Sequence, residues 1–307
     1  MAEINRLYRI IFFSFVVNLL VFPLWADDFQ DGADAYLKKD YEKAHKLIFP
    51  LAKKGHAIAQ YFLATMYDRG KGVSRNAMIA FKWYRLSAES GYSKAQFNLG
   101  EIYREGLIVP RDFSKTLKWY RLAAEQGLAE AQCNLGLMYE NGKGVTQDYK
   151  KAVKWYRISA KQGYALAQSN LGMMYETGQG VDLNYEKAAK WYQRAANQGL
   201  ANAQVSLGWF YEHGKGIMQD HKEAAKLYRL SAEQGNKVAQ NYLGVMYVLG
   251  HGVSENYVLA HMWFNFAASL GLKEGAENKK RIETKMTNMQ IEKAKQMAKS
   301  WKFLKNK

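Results

Sequence analysis

The sequence repeats itself every 36 residues. Glutamine and glycine both recur at that spacing, at Gln60, Gln96, Gln132, Gln168, Gln204 and Gln240, and at Gly55, Gly91, Gly127, Gly163, Gly199, Gly235 and Gly271. A fixed period of this size is typical of stacked supersecondary units, each of which buries its apolar face against its neighbours. No insertion interrupts the spacing between these positions, so the period predicts a continuous stack of equal units.

One unit, residues 131–163, has the pattern of a helix pair. Its first half places apolar residues at helical spacing, namely Ala131, Leu135, Met138 and Tyr139. Gly142 and Gly144 then predict the end of that helix, and Asp148 predicts the N-cap of a second one. The second helix carries Ala152, Trp155, Tyr156 and Ala160 on its inward face, and Gly163 ends it. The pattern therefore predicts an all-α fold with two helices in each unit.

The same roles recur along the chain. The N-cap position holds Asn76, Asp112, Asp148, Asn184, Asp220 and Asn256, and the large aromatic position holds Trp83, Trp119, Trp155, Trp191, Leu227 and Trp263. Recurrence at one repeat position favours core packing over a cofactor site. Departures are few: Ala64 replaces the helix glycine, the loop at residues 106–110 loses its second glycine, and Thr116 replaces an alanine.

The two ends differ from the repeats. Residues 1–26 place Arg6 and Arg9 before a short apolar run, which is the order of a signal peptide, although an uncleaved anchor is the alternative. Residues 27–56 form half a unit and predict N-terminal capping helices, and residues 57–272 hold six full units. Residues 273–307 carry 11 basic and 4 acidic residues. There Thr287 and Gln290 predict a capping box at the start of a C-terminal capping helix.

These motifs resemble the Sel-one-like repeat family, a relative of the tetratricopeptide repeats. The resemblance rests on A-x-x-x-L-G-x-M-Y-x-x-G-x-G-V, an aspartate, and K-A-x-x-W-Y-x-x-A-A-x-Q-G, and it covers about residues 29–271. It implies an α-solenoid, a right-handed superhelix of antiparallel helix pairs. It also implies adaptor roles, such as assembling complexes, signalling in the bacterial envelope or engaging host proteins.

The sequence contains no pattern of catalytic residues that stands out. Ser-x-x-Lys, His-Glu-x-x-His, Gly-x-Ser-x-Gly and the phosphate-binding glycine loop are all absent. The only cysteine, Cys133, excludes an intramolecular disulfide and a cysteine zinc site, and it is expected to be buried or half-buried. The histidines of the last two units lack metal-binding spacing, so surface histidines are expected. We predict a non-enzymatic chain with no cofactor and no metal.

Three glutamates recur just after the tyrosine of the first helix, at Glu140, Glu176 and Glu212. Neighbouring units lie roughly a helix diameter apart, so these carboxylates form a ladder and not a close acid pair. A structural or solvated role is expected for them, although such a ladder can also contact a basic partner.

By the same resemblance, the first helix of each pair lines a concave face, and its variable positions contact the ligand. Two such positions lie four residues apart and therefore share a helix face. The resulting candidate partner-binding residues are Tyr61, Phe97, Glu101, Leu137, Met173, Val205, Trp209 and Val245. The alternative is that these side chains only fill a narrow groove or pack on a neighbouring helix.

Charge and export then define the candidate functions. The formal net charge is +16, and export of the chain argues against nucleic acid as a partner. The leading hypothesis is a periplasmic or secreted scaffold that binds a protein or peptide, from its own envelope or from a host. The second is a binder of an anionic envelope polymer or of a membrane surface. The third is a cell-wall or β-lactam-processing enzyme, which only the family resemblance suggests.

Overall fold

The structure is a computed structural model that describes residues 29–305. The predicted signal segment, residues 1–26, lies outside the described residues. Within them every regular element is a helix. No helix of the described part is long and apolar enough to cross a membrane.

The helices form two compact units, one ending at Gln147 and the other beginning at Asp148. The first unit contains α1 (residues 29–37), α2 (Tyr41–Lys53), α3 (Ala57–Arg69), α4 (Ala77–Glu89), α5 (Ser93–Glu105), α6 (Phe113–Glu125) and α7 (Ala129–Asn141). The second contains α8 (Tyr149–Lys161), α9 (Ala165–Thr177), α10 (Tyr185–Asn197), α11 (Ala201–His213), α12 (His221–Glu233), α13 (Lys237–Leu249), α14 (Tyr257–Ser269), α15 (Lys273–Glu283) and α16 (Asn288–Lys305).

From α2 to α7 in the first unit, and from α8 to α15 in the second, each helix packs against the next one along the chain. In the first unit α3 packs on α4 and α5 on α6, and in the second α9 packs on α10, α11 on α12 and α13 on α14. Short loops join these helices, which is the connection that makes neighbouring helices antiparallel. The predicted all-α solenoid of helix pairs is confirmed.

The predicted N-caps of the second helices are also confirmed. At each of the six positions the side-chain oxygen of Asp or Asn accepts a hydrogen bond from the backbone N–H three residues later. At Asp112, for example, the acceptor Oδ1 lies 2.9 Å from the nitrogen of Lys115. A cap of this kind contributes about 1 kcal/mol to helix stability.

The repeated glutamine holds neighbouring repeats together. Its buried amide nitrogen donates to the carbonyl of the alanine eight residues earlier, at the end of the preceding second helix, over 3.0–3.4 Å. The last carbonyls of a helix lack partners within that helix, so this bond satisfies one of them. The sequence shows that the glutamine recurs, but its partner comes from the packing.

The tyrosine beside the large aromatic is the deepest ring of the repeat. Tyr120, Tyr156 and Tyr228 are fully buried, whereas Trp155 and Trp191 are half-buried. The helix glycine makes room for this tyrosine. A Cβ at Gly208 would lie 2.8 Å from Cε1 of Tyr228, which is closer than carbon atoms approach. The helical spacing predicts that Trp and Tyr point inward equally. That prediction is wrong for Trp155 and Trp191, which are less buried than the tyrosines that follow them.

The C-terminal capping box is confirmed. The backbone N–H of Gln290 donates to the Thr287 hydroxyl at 3.3 Å, and the Gln290 side-chain oxygen accepts from the Thr287 N–H at 2.9 Å. Helix α16 begins there and packs on α14, with the rings of Trp301 and Trp263 5.4 Å apart. The contact covers apolar surface at the end of the last helix pair.

Candidate partner-binding surface

The candidate residues lie on one face of the first helix of each repeat, which we call the first-helix surface. In the first unit this face belongs to α3, α5 and α7, and in the second to α9, α11 and α13. Two helices carry two candidates each, four residues apart, so the side chains of each pair are neighbours: Phe97 and Glu101 on α5, and Val205 and Trp209 on α11.

In the first unit, two candidate rings pack against tyrosines of their own unit. Tyr61 is half-buried, with its ring 5.8 Å from that of Tyr84 and 5.1 Å from that of Tyr92. Phe97 stacks on Tyr120 at 5.6 Å. Both rings are therefore only partly accessible to a partner. Cys133, at the same repeat position, is buried, as expected.

Glu101 is the centre of a hydrogen-bond network. Its carboxylate accepts from the buried Tyr120 hydroxyl and, at 2.9 Å, from the side-chain amide of Asn134. The Arg104 guanidinium donates to the same carboxylate through Nε at 3.0 Å and Nη2 at 2.5 Å. Burial raises the pKa of Tyr120, and the negative charge of Glu101 raises it further. Glu101 is therefore held in place by its own repeat and its neighbour.

Leu137 is the most accessible candidate of the first unit, with 37% of its surface exposed. It lines a cleft of about 480 Å³ between α5, α6 and α7. The cleft also contains Phe113, Tyr120, Arg111 and Lys143, so apolar and cationic side chains face the same space.

In the second unit, the candidates are apolar and half-buried. Met173 and Trp209 pack against the core cluster around Leu207, and Val205 and Val245 pack against the next cluster. The Trp209 ring also stacks on His213, with the ring centroids 4.4 Å apart. These side chains thus combine the two roles that the sequence left open, since each contributes to packing and keeps accessible apolar surface.

Beside Val245 the surface forms a small pocket of about 150 Å³. Val248, Leu249 and Phe264 supply apolar walls. Arg281 of α15 and Lys285, which follows that helix, add positive charge. The pocket extends the first-helix surface of the second unit toward the C-terminal capping helices.

The repeated glutamates have a structural partner. The buried Tyr192 hydroxyl donates to Glu176 at 2.5 Å, and the Tyr228 hydroxyl donates to Glu212 at 2.6 Å. Burial raises the pKa of each tyrosine, and the hydrogen bond to the charged glutamate raises it further. The structural role expected for these glutamates is what the geometry supports. Their partner was missed, although the constant separation of 16 residues between Glu and Tyr was visible in the sequence.

The repeats match a known protein family. The sequence model of the Sel1 repeat matches seven times, at residues 29–56, 57–92, 93–128, 129–164, 165–200, 201–236 and 237–272. The chain belongs to the Sel1 repeat family. Proteins of this family are generally protein-interaction scaffolds and are typically non-catalytic. The resemblance inferred from the motifs is therefore confirmed.

Two solved Sel1 repeat structures are similar over most of the chain. One is a protective antigen of uropathogenic Escherichia coli strains that displays the SLR fold, with 35% identity and a TM-score of 0.85 over 90% of this chain. This chain spans 60% of that protein's length. The other is a Sel1 repeat protein from Oxalobacter formigenes, with 35% identity and a TM-score of 0.73, covering 78% of this chain and 96% of that one. No curated protein matches the chain.

The histidines of this Sel1 repeat protein differ in part from the expectation. His261 is fully buried, and its Nε2 lies 2.8 Å from the Glu283 carboxylate, so the expected surface position is wrong for it. His213, the last residue of α11, is exposed, as expected. Within residues 29–305, no group of three or more histidine, cysteine or acidic side chains could hold a metal ion.

Proposed function

We propose that this Sel1 repeat protein is an exported scaffold that binds a partner protein without catalysing a reaction. The partner contacts the first-helix surface of the second unit. One observation carries the proposal: Met173, Trp209 and Val245 occupy the same repeat position on α9, α11 and α13, and all three are apolar and partly accessible. Accessible Trp and Met side chains are favoured anchors of protein interfaces.

The spacing of these side chains suits a long, narrow ligand. Packed helices lie about 8–10 Å apart, so equivalent positions of successive repeats present contacts at intervals of that order. An amphipathic helix or an extended segment can place one apolar side chain in each interval. The half-buried backs of Met173 and Trp209 hold them in position, which lowers the entropy that binding costs.

Two observations support export to the periplasm or beyond the cell. Residues 1–26 have the order of a signal peptide, with a basic start, a short apolar run and Ala26 at the end. The Escherichia coli relative is a protective antigen, which is consistent with a protein that leaves the cytoplasm. The proposed partner is accordingly an envelope protein of the same cell or a host protein.

A cross-linking pull-down with the purified chain tests the proposal. The variant Met173→Ala, Trp209→Ala, Val245→Ala removes the three apolar contacts, and loss of hot-spot side chains of this kind typically costs at least about 2 kcal/mol of binding energy. Wild type is expected to capture a specific protein. The variant is expected to capture at least about tenfold less of that protein.

The matched control removes three apolar side chains elsewhere in the second unit. Leu183, Met218 and Leu230 are exposed by 54%, 85% and 43%, and none of them lies on a first helix. The variant Leu183→Ala, Met218→Ala, Leu230→Ala is expected to capture the partner as wild type does. Circular dichroism must show equal helicity for all three proteins. Equal capture by the Trp209 variant and wild type contradicts the proposal.

A further inference from the structure

The repeat at residues 93–128 departs from the others at positions that meet in space. Glu101 occupies the position that is Leu137, Met173, Trp209 and Val245 in the later repeats. Arg104 occupies the position of Glu140, Glu176 and Glu212, and Thr116 replaces the common alanine. In the structure, Arg104, Thr116 and the buried Tyr120 all line the cleft of about 480 Å³ in the first unit.

In this repeat the glutamate lies at position 101, and an arginine takes its usual place at position 104. This change gives the tyrosine hydroxyl a different acceptor. In two later repeats the hydroxyl donates to the glutamate that follows the first-helix tyrosine, as Tyr192 does to Glu176. Tyr120 donates instead to Glu101, one helical turn earlier. Position 104 therefore does not need a glutamate to accept the tyrosine hydroxyl. Arg104 occupies it, is half-exposed, and forms ion pairs with Glu101 and Glu105.

Two further cations face the cleft without a carboxylate partner. The Arg111 guanidinium donates to the Glu105 backbone carbonyl at 3.3 Å and lies 6.0 Å from the Phe113 ring. Within the described residues, neither Arg111 nor Lys143 forms an ion pair. Unlike Arg104, both cations therefore keep their charge available to a ligand.

Lys143 also differs from the lysines at its own repeat position. The ammonium of Lys71 lies 4.9 Å from the Tyr41 ring, and that of Lys215 lies 5.3 Å from the Tyr185 ring. In the part of the chain that the structure describes, the Lys143 ammonium contacts no ring in this way, although Phe113 lies in the same cleft. Lys143 therefore lacks the cation–π stabilisation that Lys71 and Lys215 have.

The cleft is not purely ionic. Phe113, Leu137 and Met138 line it together with the cations, and Leu137 is exposed by 37%. A carboxylate beside an apolar side chain satisfies both parts of this lining, since Arg and Lys pair with carboxylates and the apolar wall accepts the neighbouring side chain. A small inorganic anion would leave the apolar wall in contact with water.

We propose that this cleft binds an acidic segment of a partner protein, with a Glu or Asp carboxylate between Arg111 and Lys143 and an adjacent apolar side chain against Phe113 and Leu137. The inference rests on the proposed scaffold function and names the chemistry of the partner that the first unit recognises. Arg104 also lines the cleft, but its charge is already paired with Glu101 and Glu105, so Arg111 and Lys143 supply the free positive charge.

The test measures fluorescence anisotropy of a labelled peptide that alternates glutamate with leucine, added to the purified full chain. Its counterpart contains glutamine in place of every glutamate. Wild type is expected to bind the acidic peptide at least about tenfold more tightly, because a charge pair of this kind commonly contributes more than one factor of ten in affinity. Equal binding of the two peptides overturns the inference.

The chain offers a closely matched pair of variants. Arg111→Gln, Lys143→Gln removes both cations from the cleft. Arg75→Gln, Lys215→Gln removes the same two charges at the same repeat positions outside the cleft, since Arg75 and Lys215 lie one repeat before and two repeats after their counterparts. We expect the first variant to lose at least about tenfold in affinity for the acidic peptide, and the second to change less than about twofold.

Three results count against the inference. If both variants lose affinity for the acidic peptide equally, the net charge of the chain alone attracts the peptide. Complete displacement of the peptide by millimolar inorganic phosphate shows a general anion site. Failure of wild type to prefer the acidic peptide, while the pull-down partner is still captured through Trp209, shows that the scaffold proposal stands and the acidic-segment inference does not. Unchanged melting temperatures exclude unfolding of the variants.

Discussion

At the scale of single residues, the buried tyrosine that five of the six repeats share, and that Phe264 replaces in the last, connects packing to electrostatics. Its ring occupies the space beside the helix glycine, and its hydroxyl reaches the first helix of the same repeat. A phenol that is buried and hydrogen-bonded to a carboxylate resists ionisation, because the phenolate loses its hydration and meets a like charge. The repeat therefore gains stability from a tyrosine that stays neutral.

Tyr84 gives this argument a measurable form. Burial raises the pKa of Tyr84 to about 12, while the hydrogen bond with Thr65 acts in the opposite direction. The folded-state pKa is above the unfolded value of about 10, so the contribution of Tyr84 is complete below pH 10 and is lost as the pH rises toward 12. Between about pH 9 and pH 11, Tyr84→Phe is expected to lose about 1 kcal/mol less stability than wild type.

Denaturant unfolding at pH 9 and pH 11 measures this difference. The control is Tyr185→Phe, which changes a half-buried ring in the second unit. This control shows how the loss of another tyrosine hydroxyl changes the same two measurements. If Tyr84→Phe loses as much stability as wild type between the two pH values, Tyr84 is not a source of the alkaline sensitivity.

At the scale of helices, short-range signals were sufficient to predict the elements. Capping oxygens, paired loop glycines and the 3.6-residue period are local features, and the helices begin where Asn76, Asp112 and Asp220 predict them to begin. The packing of the two helices within a pair is not local. It depends on whether a ring can lie directly against the backbone of the facing helix, which is why the glycine recurs.

Gly208→Ala tests that packing. The new Cβ would lie 2.8 Å from the Tyr228 ring, and this ring cannot turn away easily because its hydroxyl is bound to Glu212. Overpacking of this kind costs about 1–3 kcal/mol, which should exceed the gain of about 1 kcal/mol in helix propensity. We therefore expect a lower unfolding free energy in urea.

A double-mutant cycle supplies the control. In a background that carries Tyr228→Leu, the ring is absent, so the alanine at position 208 is expected to be neutral or stabilising. If Gly208→Ala lowers stability equally in both backgrounds, the close approach of the Tyr228 ring is not the reason for the glycine.

At the scale of the whole molecule, the chain has 44 Lys and Arg residues and 28 Asp and Glu residues, for a formal net charge of +16. Such a charge attracts anionic partners over a range of about one Debye length, which is about 10 Å at 0.1 M salt. The hypothesis of an envelope-polymer binder depends on this general attraction. The scaffold hypothesis depends on apolar contacts that salt does not screen.

Salt therefore separates the two modes of binding. Heparin serves as a polyanion probe, and its affinity for the chain is expected to fall at least about tenfold between 50 and 300 mM sodium chloride. Capture of a protein partner through Met173, Trp209 and Val245 is expected to change less than about threefold. A partner that is released as completely as heparin would show that net charge, and not the first-helix surface, is responsible for binding.

The candidate surface could be predicted only in part. The variable positions of the first helices are visible in the repeat, so Leu137, Met173 and Trp209 could be named before the structure. The cleft beside Leu137 could not be, because Arg111, Tyr120 and Lys143 come from separate parts of two repeats and meet only through packing. The departures at Glu101, Arg104 and Thr116 were the available signal. They can be interpreted only from the structure, in which Arg104 and Thr116 line the cleft and Glu101 binds Arg104.

The sequence by itself determined the period, the helix pairs, their caps and the family, because each depends on residues close together in the chain or on their repetition. Only the tertiary structure decided which ring is buried, which carboxylate accepts the tyrosine hydroxyl and which cations remain unpaired. Those outcomes depend on distances between helices, and differences of a few ångströms change them. Tyr120 pairs with Glu101 while Tyr192 pairs with Glu176, although both tyrosines occupy the same position of the repeat.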